Sequence, residues 1–302
     1  MKSISILGIY VADLAFFAKK IPIPGETILG EKYIIGPGGK GSNQAVAAAK
    51  AGVKTFFISK IGDDQFGSMA QSIYDDAGVD YSKVIISKNH STGVAGILIN
   101  KEGQNAINVV PGAAGAMTIE DINNASDIIK KSTIFLTQLE APKEIVFYSI
   151  KLAKENDVTT IFNPAPASAI DEDFFPLFDY FTPNETEASF YVNHPVENKE
   201  DAKKAAETLL KMGTKNVIIT LGDKGAYFAN NDESFYIDAL KVDVVDTTGA
   251  GDAFNAGFAV ALTEEKNIKD AIYFANTTAA LSTTKVSTAN SMPTREEIDK
   301  LL

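Results

Sequence analysis

Apolar and polar positions alternate along this chain with two periods, and the switches between them predict its elements. Ile4-Ser5-Ile6-Leu7-Gly8 reads as a short buried strand, with Val11-Ala12-Asp13 following at its carboxyl end. Pro22, Pro24 and Gly25 break the next part, and Thr27 to Ile35 fits an exposed strand. Helical spacing runs from Gln44 to Ala51 and stops at Gly52. Thr55 to Ile61 predicts a strand, and Phe66 to Ala77 a helix ended by Gly78. Thr92 to Ile99 and Asn105 to Val110 alternate around Lys101-Glu102-Gly103, the pattern of a hairpin. From Thr118 onward the rhythm becomes regular. Helices are predicted over 120–130, 143–155, 199–211 and 269–282, with a last one from Thr294. Strands are predicted over 133–137, 158–162, 180–182 and 216–220, with a hairpin at 226–229 and 235–237. Val244-Val245 reads as the end of one more buried strand. After a turn of small and polar residues, Ala250, Phe254, Gly257, Phe258, Ala261 and Leu262 fall at helical spacing.

This alternation predicts one α/β domain over residues 1–302, a mostly parallel sheet with helices on both faces. The segments at about 14–37 and 91–111 fall outside the rhythm and predict a small β-sheet lid. Composition narrows the function. The chain carries 28 Lys and Arg against 39 Asp and Glu, a net charge of −11, and no basic run interleaved with aromatics. That argues against nucleic acid and anionic membranes as partners. An anionic ligand must then be bound locally, by backbone N–H groups, a metal or a few placed cations. Cysteine is absent, which removes disulfides and thiol chemistry and fits a cytoplasmic protein. His90 and His194 alone offer little for a metal site or a Ser-His-Asp triad. Residues 4–18 could pass for a signal segment, but Asp13 interrupts them and no cleavage site precedes Lys19-Lys20, so they read as a mature N-terminus. No apolar run of about 18 residues predicts a membrane span.

Polar residues collect after predicted strand ends: Asp13, Glu140, Asn184, Glu187 and the loop at Gly222. Open α/β sheets bind ligands there, although each residue singly also fits a cap or a turn. Two glycine loops add to them. Gly36-Pro37-Gly38-Gly39-Lys40-Gly41-Ser42-Asn43 opens a helix and matches G-x-G-x-x-G at Gly36, Gly38 and Gly41, with Asp63 beyond. A nicotinamide-dependent oxidoreductase is one reading of it. However, that fingerprint normally follows the first core strand, and Lys40 followed by Gly41 is not a P-loop. The second loop, Asp246 to Gly251, leads into a helix whose free N–H groups and dipole favour an anion. Asp252 sits in its first turn. An anion cradle beside a carboxylate suits transfer of a phosphoryl group to a hydroxyl. The competing reading has Asp252 only stabilising the helix start.

Gly38-Gly39-Lys40-Gly41-Ser42-Asn43-Gln44-Ala45 and Asp246-Thr247-Thr248-Gly249-Ala250-Gly251-Asp252-Ala253-Phe254 resemble the two signatures of the ribokinase-like (phosphofructokinase-B type) sugar kinases. Asn163-Pro164-Ala165-Pro166 and Thr182-Pro183-Asn184-Glu185-Thr186-Glu187 draw the resemblance towards the ribokinase branch, and it extends from Ile4 to about Glu297. It implies an ATP-dependent carbohydrate kinase that turns D-ribose into D-ribose 5-phosphate. Asp252 would be the base, with Gly249, Ala250 and Gly251 as the anion hole. The sugar would be held by Asp13, Gly38, Gly39, Asn43 and Glu140, with Lys40 as a further substrate contact. Asn184 and Glu187 would order Mg²⁺, largely through water. Thr220, Leu221, Gly222, Asp223, Lys224, Gly225 and Asn276 would line the nucleotide, although Lys224 also fits a solvated loop residue. A monovalent cation, K⁺, would lie near Asp246 and the main-chain oxygens of Thr248, Ser282, Lys285 and Ser287, with the side chain of Ser291. A homodimer through the lid sheets is implied as well.

Two positions depart from the family pattern. Val11 stands where ribokinases commonly have Asn, which opens 2-deoxyribose or another furanose such as fructose. Ser287 replaces the usual Gly of the cation loop. A non-catalytic sugar-binding protein on the same fold is a further alternative, but such a protein should have lost Asp252 or the glycines.

Overall fold

Residues 2–302 are described by a computed structural model, in which side-chain alternation sorts the strands onto two faces of one large sheet. In chain order the strands are β1 (Ser3–Leu7), β2 (Val11–Phe17), β3 (Lys32–Gly38), β4 (Lys54–Gly62), β5 (Asp80–Ser87), β6 (Thr92–Ile99) and β7 (Asn105–Gly112). They continue as β8 (Ile134–Thr137), β9 (Thr159–Phe162), β10 (Tyr180–Phe181), β11 (Asn216–Thr220), β12 (Ala226–Ala229) and β13 (Ser234–Ile237). The helices are α1 (Lys40–Lys50), α2 (Gln65–Ala77), α3 (Ile119–Asn123), α4 (Ser126–Lys131) and α5 (Lys143–Lys154). After them come α6 (Glu185–Val192), α7 (Lys199–Lys211), α8 (Ala250–Thr263), α9 (Ile268–Ser282) and α10 (Arg295–Asp299).

The main sheet runs β13-β12-β11-β10-β9-β8-β1-β4-β5 and is parallel except for β12 and β13. Ile4, Ile6, Phe57, Leu136, Ile161 and Ile218 face α1, α2, α8 and α9, where Ala45, Ala70, Phe258 and Phe274 are fully buried. Leu7, Ile58, Phe135, Phe162 and Val217 face the other way, against Ile145 and Ile150 of α5 and Leu209 of α7. Burial on both faces explains why these strands are nearly continuous apolar runs. The predicted α/β class and its covered parallel sheet are therefore present.

A second sheet, β3-β2-β6-β7, stands apart as the lid. It begins at Val11, so the Val11-Ala12-Asp13 segment is the root of a lid strand and not a loop after β1. Register places Val11, Asp13, Ala15, Gly36, Ile34, Ala95 and Ile97 on one face and Leu14, Phe16, Ile35 and Tyr33 on the other. Asp64 fixes the lid to the core. One carboxylate oxygen accepts from Phe66 N (3.1 Å) and Gly67 N (2.9 Å), capping α2, and from Thr92 Oγ1 (2.7 Å). The other accepts from Thr92 N (2.8 Å), and Thr92 Oγ1 in turn accepts from Gly62 N (2.8 Å). The first residue of β6 is thus pinned to the start of α2.

Four expectations change. Val244 and Val245 are no buried strand: both are about 60% exposed in a loop whose Val245 and Asp246 N–H groups donate to Thr283 O. Two apolar residues are too few to specify a strand, and the antiparallel β12–β13 pair already closes that edge. Helix α1 begins at Lys40, four residues before its apolar signal, because glycines and polar residues fill its first turn. The helix predicted over 120–130 is two short ones, broken at Asn124 and Ala125. The exposed strand predicted over 27–35 lies at Lys32–Gly38. Strand β5 and helix α6 were not anticipated.

Candidate active site

The two glycine signatures meet because α1 and α8 start side by side at the carboxyl end of the sheet. Helix α1 packs very close to β1: a Cβ on Gly41 would lie 2.6 Å from the Gly8 Cα. Its preceding residue, Gly39, has φ 88°, a conformation that side chains resist, and a Cβ there would lie 2.4 Å from Ile9 O. The Asp13 carboxylate rests on Gly38, where a Cβ would come within 2.2 Å of Asp13 Oδ1. These glycines bring the backbone and the Asp13 carboxylate together.

Asp252 lies in the first turn of α8 and is 6% exposed. It does not cap its own helix, since Gly249 is the N-cap and no side chain bonds there. Its oxygens instead accept from α1: Oδ2 from Asn43 Nδ2 at 2.9 Å, and Oδ1 from Gln44 Nε2 at 3.1 Å. Its charge still lies in the first turn of α8, where it favours the helix start, but its hydrogen bonds are spent on α1. Burial pushes its carboxyl up, while the Lys40 charge and the two amide bonds pull it down. The Lys40 ammonium is held charged above its ordinary range by Asp252 first, then by Glu140 and Glu187, against burial.

Glu140 caps a helix, but not the one that follows it. Its Oε2 accepts from Lys40 N at 2.8 Å, placing a carboxylate at the start of α1. Burial pushes Glu140 up to about 7, with Lys40 opposing. Burial likewise pushes Asp13 up to about 6. Asn184 and Glu187 form the capping box of α6, Asn184 Oδ1 accepting from Glu187 N (2.8 Å) and Glu187 Oε2 from Asn184 N (2.9 Å). Burial pushes Glu187 up to about 7, and its remaining oxygen is not used by the box.

A cavity of about 160 Å³ joins Lys40, Asp252, Asn184 and Glu187, with Asn163, Thr182, Thr220, Thr247, Asn255 and residues 249–251 also lining it, whereas Asp13 and Glu140 lie outside its lining. The bridge between Asn184 and Thr220 ties the α6 start to the end of β11. Within the 249–252 loop, Ala250 N donates to Thr247 O at 3.2 Å, so this expected anion-hole donor is engaged in a turn. Gly251 and Asp252 precede the first helical bond, Ala253 N to Gly249 O, and their N–H groups start the helix.

Other expected residues have structural partners. Lys224 Nζ donates to Glu197 O (2.6 Å), and Asn276 Nδ2 donates to Asp238 O (3.2 Å). Thr220 to Gly225 form the turn after β11, with Leu221 buried and Gly222 and Asp223 exposed. Asp246 accepts from Thr248 N (2.9 Å) and Ser287 N (3.2 Å). Ser287 has φ 91°, which explains why glycine suits that position. Ser282 and Ser291 hydroxyls donate to Ala279 O and Thr288 O, and Lys285 pairs with Glu297.

Sequence reasoning missed the amides around Asp252. Gln44, Gln138, Asn163 and Asn255 are all buried there. Their signal was available as amides beside acidic or glycine-rich motifs, but an amide in an apolar run carries no charge to single it out. Two buried oxygens, Asn43 Oδ1 and Gln138 Oε1, have no hydrogen-bond partner.

A glycine-lined carboxylate, a half-buried lysine and a helix start at one cavity define a phosphotransferase-type site on an α/β sheet. The chain matches the model of the pfkB family carbohydrate kinases over residues 1–295 and belongs to that family. It is thus an ATP-dependent carbohydrate kinase. It is 38% identical to the ribokinase of Haemophilus influenzae over 98% of this chain and 97% of the relative. It is 35% identical to the deoxyribokinase of Salmonella typhi over 99% and 98%. Among solved structures, Arabidopsis thaliana ribokinase complexed with ribose and ATP superposes with a TM-score of 0.92, at 31% identity over 99% and 98% of the chains. The oxidoreductase reading of the Gly36 loop is thereby set aside. That loop ends a lid strand and opens α1.

The raised Glu140 has a stability consequence. Between its ordinary value near 4.5 and about 7 the folded chain holds the proton more tightly than the unfolded chain. Stability is therefore fullest below about 4.5 and declines as pH rises through 7. Glu140→Gln keeps an acceptor for Lys40 N and removes the charge. Urea unfolding is expected to show a gain on the order of 2 kcal/mol at pH 8 and almost none at pH 4.5. Equal effects at both pH values would contradict this.

Proposed function

We propose that the chain transfers the γ-phosphoryl group of ATP to D-ribose, giving D-ribose 5-phosphate. The observation that carries this is the buried Asp252 carboxylate, held by two amides and facing a cavity shared with Lys40 and the α8 start. Asp252 takes the hydroxyl proton as the sugar oxygen attacks the γ-phosphorus, a new P–O bond forms, and the bond to ADP breaks. The Gly251 and neighbouring N–H groups and Lys40 stabilise the charge on the transferring group. Asp13, Glu140 and Asn43, with Gly38 and Gly39 beneath, hold the sugar hydroxyls. The unpartnered Asn43 Oδ1 is suited to accept one.

Glu187 and Asn184 present oxygen donors suited to a hard cation bound largely through water. Mg²⁺ there would neutralise phosphate charge. The Thr220–Gly225 turn and Asn276 would border the nucleotide. A monovalent cation, K⁺, would bind at the loop closed by Asp246, using main-chain oxygens of Thr248, Ser282, Lys285 and Ser287 and the Ser291 side chain. We place the enzyme in the cytosol, where ATP is supplied, and activity in the membrane pellet on fractionation would count against it. No helix among the described residues is long and apolar enough to cross a membrane.

Val11 favours a second reading, 2-deoxyribose. It lies on the lid face that carries Asp13, is 3% exposed, and offers no hydrogen-bonding group to a hydroxyl. The lid's other face exposes Phe16, Tyr33 and Ile35, and this apolar surface supports a homodimer formed lid to lid.

Asp252→Asn is expected to keep the fold, by circular dichroism, and to lower kcat by roughly 10²–10⁴-fold. Near-normal turnover would remove Asp252 from the role of base. A panel of ribose, 2-deoxyribose and fructose, assayed with K⁺ and with K⁺ replaced, should show ribose preferred and activity falling without K⁺. Val11→Asn should raise the ratio of kcat/KM for ribose over 2-deoxyribose by about tenfold, the worth of roughly one hydrogen bond. An unchanged ratio places Val11 outside sugar recognition. Light scattering should give twice the chain mass, and Tyr33→Glu with Phe16→Glu should halve it. A monomeric wild type would end the dimer proposal.

A further inference from the structure

Behind Asp252 runs a chain of buried amides that substrate binding does not require. Gln44 is fully buried on α1, one residue past Asn43. Its Nε2 donates to Asp252 Oδ1 at 3.1 Å and to Asn163 Oδ1 at 3.2 Å, using both hydrogens. Its Oε1 accepts from Gln138 Nε2 in a short contact. Gln138, 1% exposed, follows β8 and stands beside the Gly8–Gly41 crossing, its Oε1 being the nearest atom to a Cβ on Gly8. Asn163 is oriented in turn, since its Nδ2 donates to Thr182 O at 3.2 Å.

The arrangement has a direction. An amide can be turned end for end unless its partners forbid it. Asn163 is anchored by its Nδ2 bond to Thr182 O, so its Oδ1 faces Gln44, and with the Asp252 carboxylate it requires the Gln44 NH₂ on that side. The Gln44 carbonyl is then left to accept from Gln138. Two of the roughly four lone-pair positions on the Asp252 carboxylate are then taken by Asn43 and Gln44. The rest are left to the cavity.

We propose that Gln44, oriented by Asn163 and bonded in turn by Gln138, is the positioning residue that fixes the Asp252 carboxylate as a proton acceptor. Neither amide touches the substrate in this scheme. Asn43 faces the sugar, while Gln44 serves only the base. The inference rests on Asp252 being the base of the proposed reaction.

Burial raises the Asp252 carboxyl, and the Gln44 bond opposes that rise. Removing the donor therefore shifts the ionisation of the base upward in pH, an effect that a packing role would not produce. Gln44→Met and Gln138→Met keep side-chain length without the amide. In kcat/KM profiles from pH 5 to 9, Gln44→Met should move the acidic limb up by about one pH unit. It should also lower the plateau kcat by about 10–100-fold, with sugar KM changed less than about threefold. Gln138→Met, which makes no contact with Asp252, should shift the limb in the same direction by less. It also serves if Gln44→Met does not fold, which thermal melts will show. A loss of kcat with the limb unmoved, or a rise in sugar KM alone, overturns the proposal. Asp252→Asn run alongside separates the two failures. If it keeps turnover, the base assignment fails. If it loses turnover while the Gln44 and Gln138 limbs stay in place, only the amide chain fails.

Discussion

Everything at this site depends on one constraint: a buried carboxylate needs donors in place of water. Asp252 finds them across a contact between two helices, because Asn43 and Gln44 of α1 supply its hydrogen bonds. That contact needs α1 to start within reach of α8, which in turn needs α1 to lie almost on β1. The glycines at positions 8 and 41 permit that approach. The first signature therefore serves as a packing motif.

Carboxylates gather around a single lysine at this site, in a chain whose net charge is −11. Asp13, Glu140 and Glu187 are all pushed up by burial, and Asp252 with them. Lys40 is the cation that three of them share.

Much of this was legible in the sequence. Short apolar runs, and alternation in the 92–110 hairpin, placed most strands to within a residue or two, and Gly52 and Gly78 marked helix ends correctly. Asp13, Glu140, Asn184, Glu187 and Asp252 were singled out by their position after strand ends or inside glycine loops. What was hidden has physical reasons. The first turn of α1 carries no apolar periodicity, since its partners are Glu140 and Asp252, distant in sequence. The amides of Gln44 and Gln138 look neutral until the fold places them against a carboxylate. Val244-Val245 shows the opposite error, apolar residues that reach no core. Glu140 shows a subtler one, a helix cap whose helix lies a hundred residues away.

The Asp64–Thr92 knot joins two parts of the fold through one carboxylate. Thr92 is bonded through both its amide and its hydroxyl to the residue that caps α2. The start of a core helix and the root of the small sheet therefore share a single side chain. Because Val11 and Asp13 pair in register with Gly93 and Ala95, just past Thr92, their placement is tied to that same carboxylate.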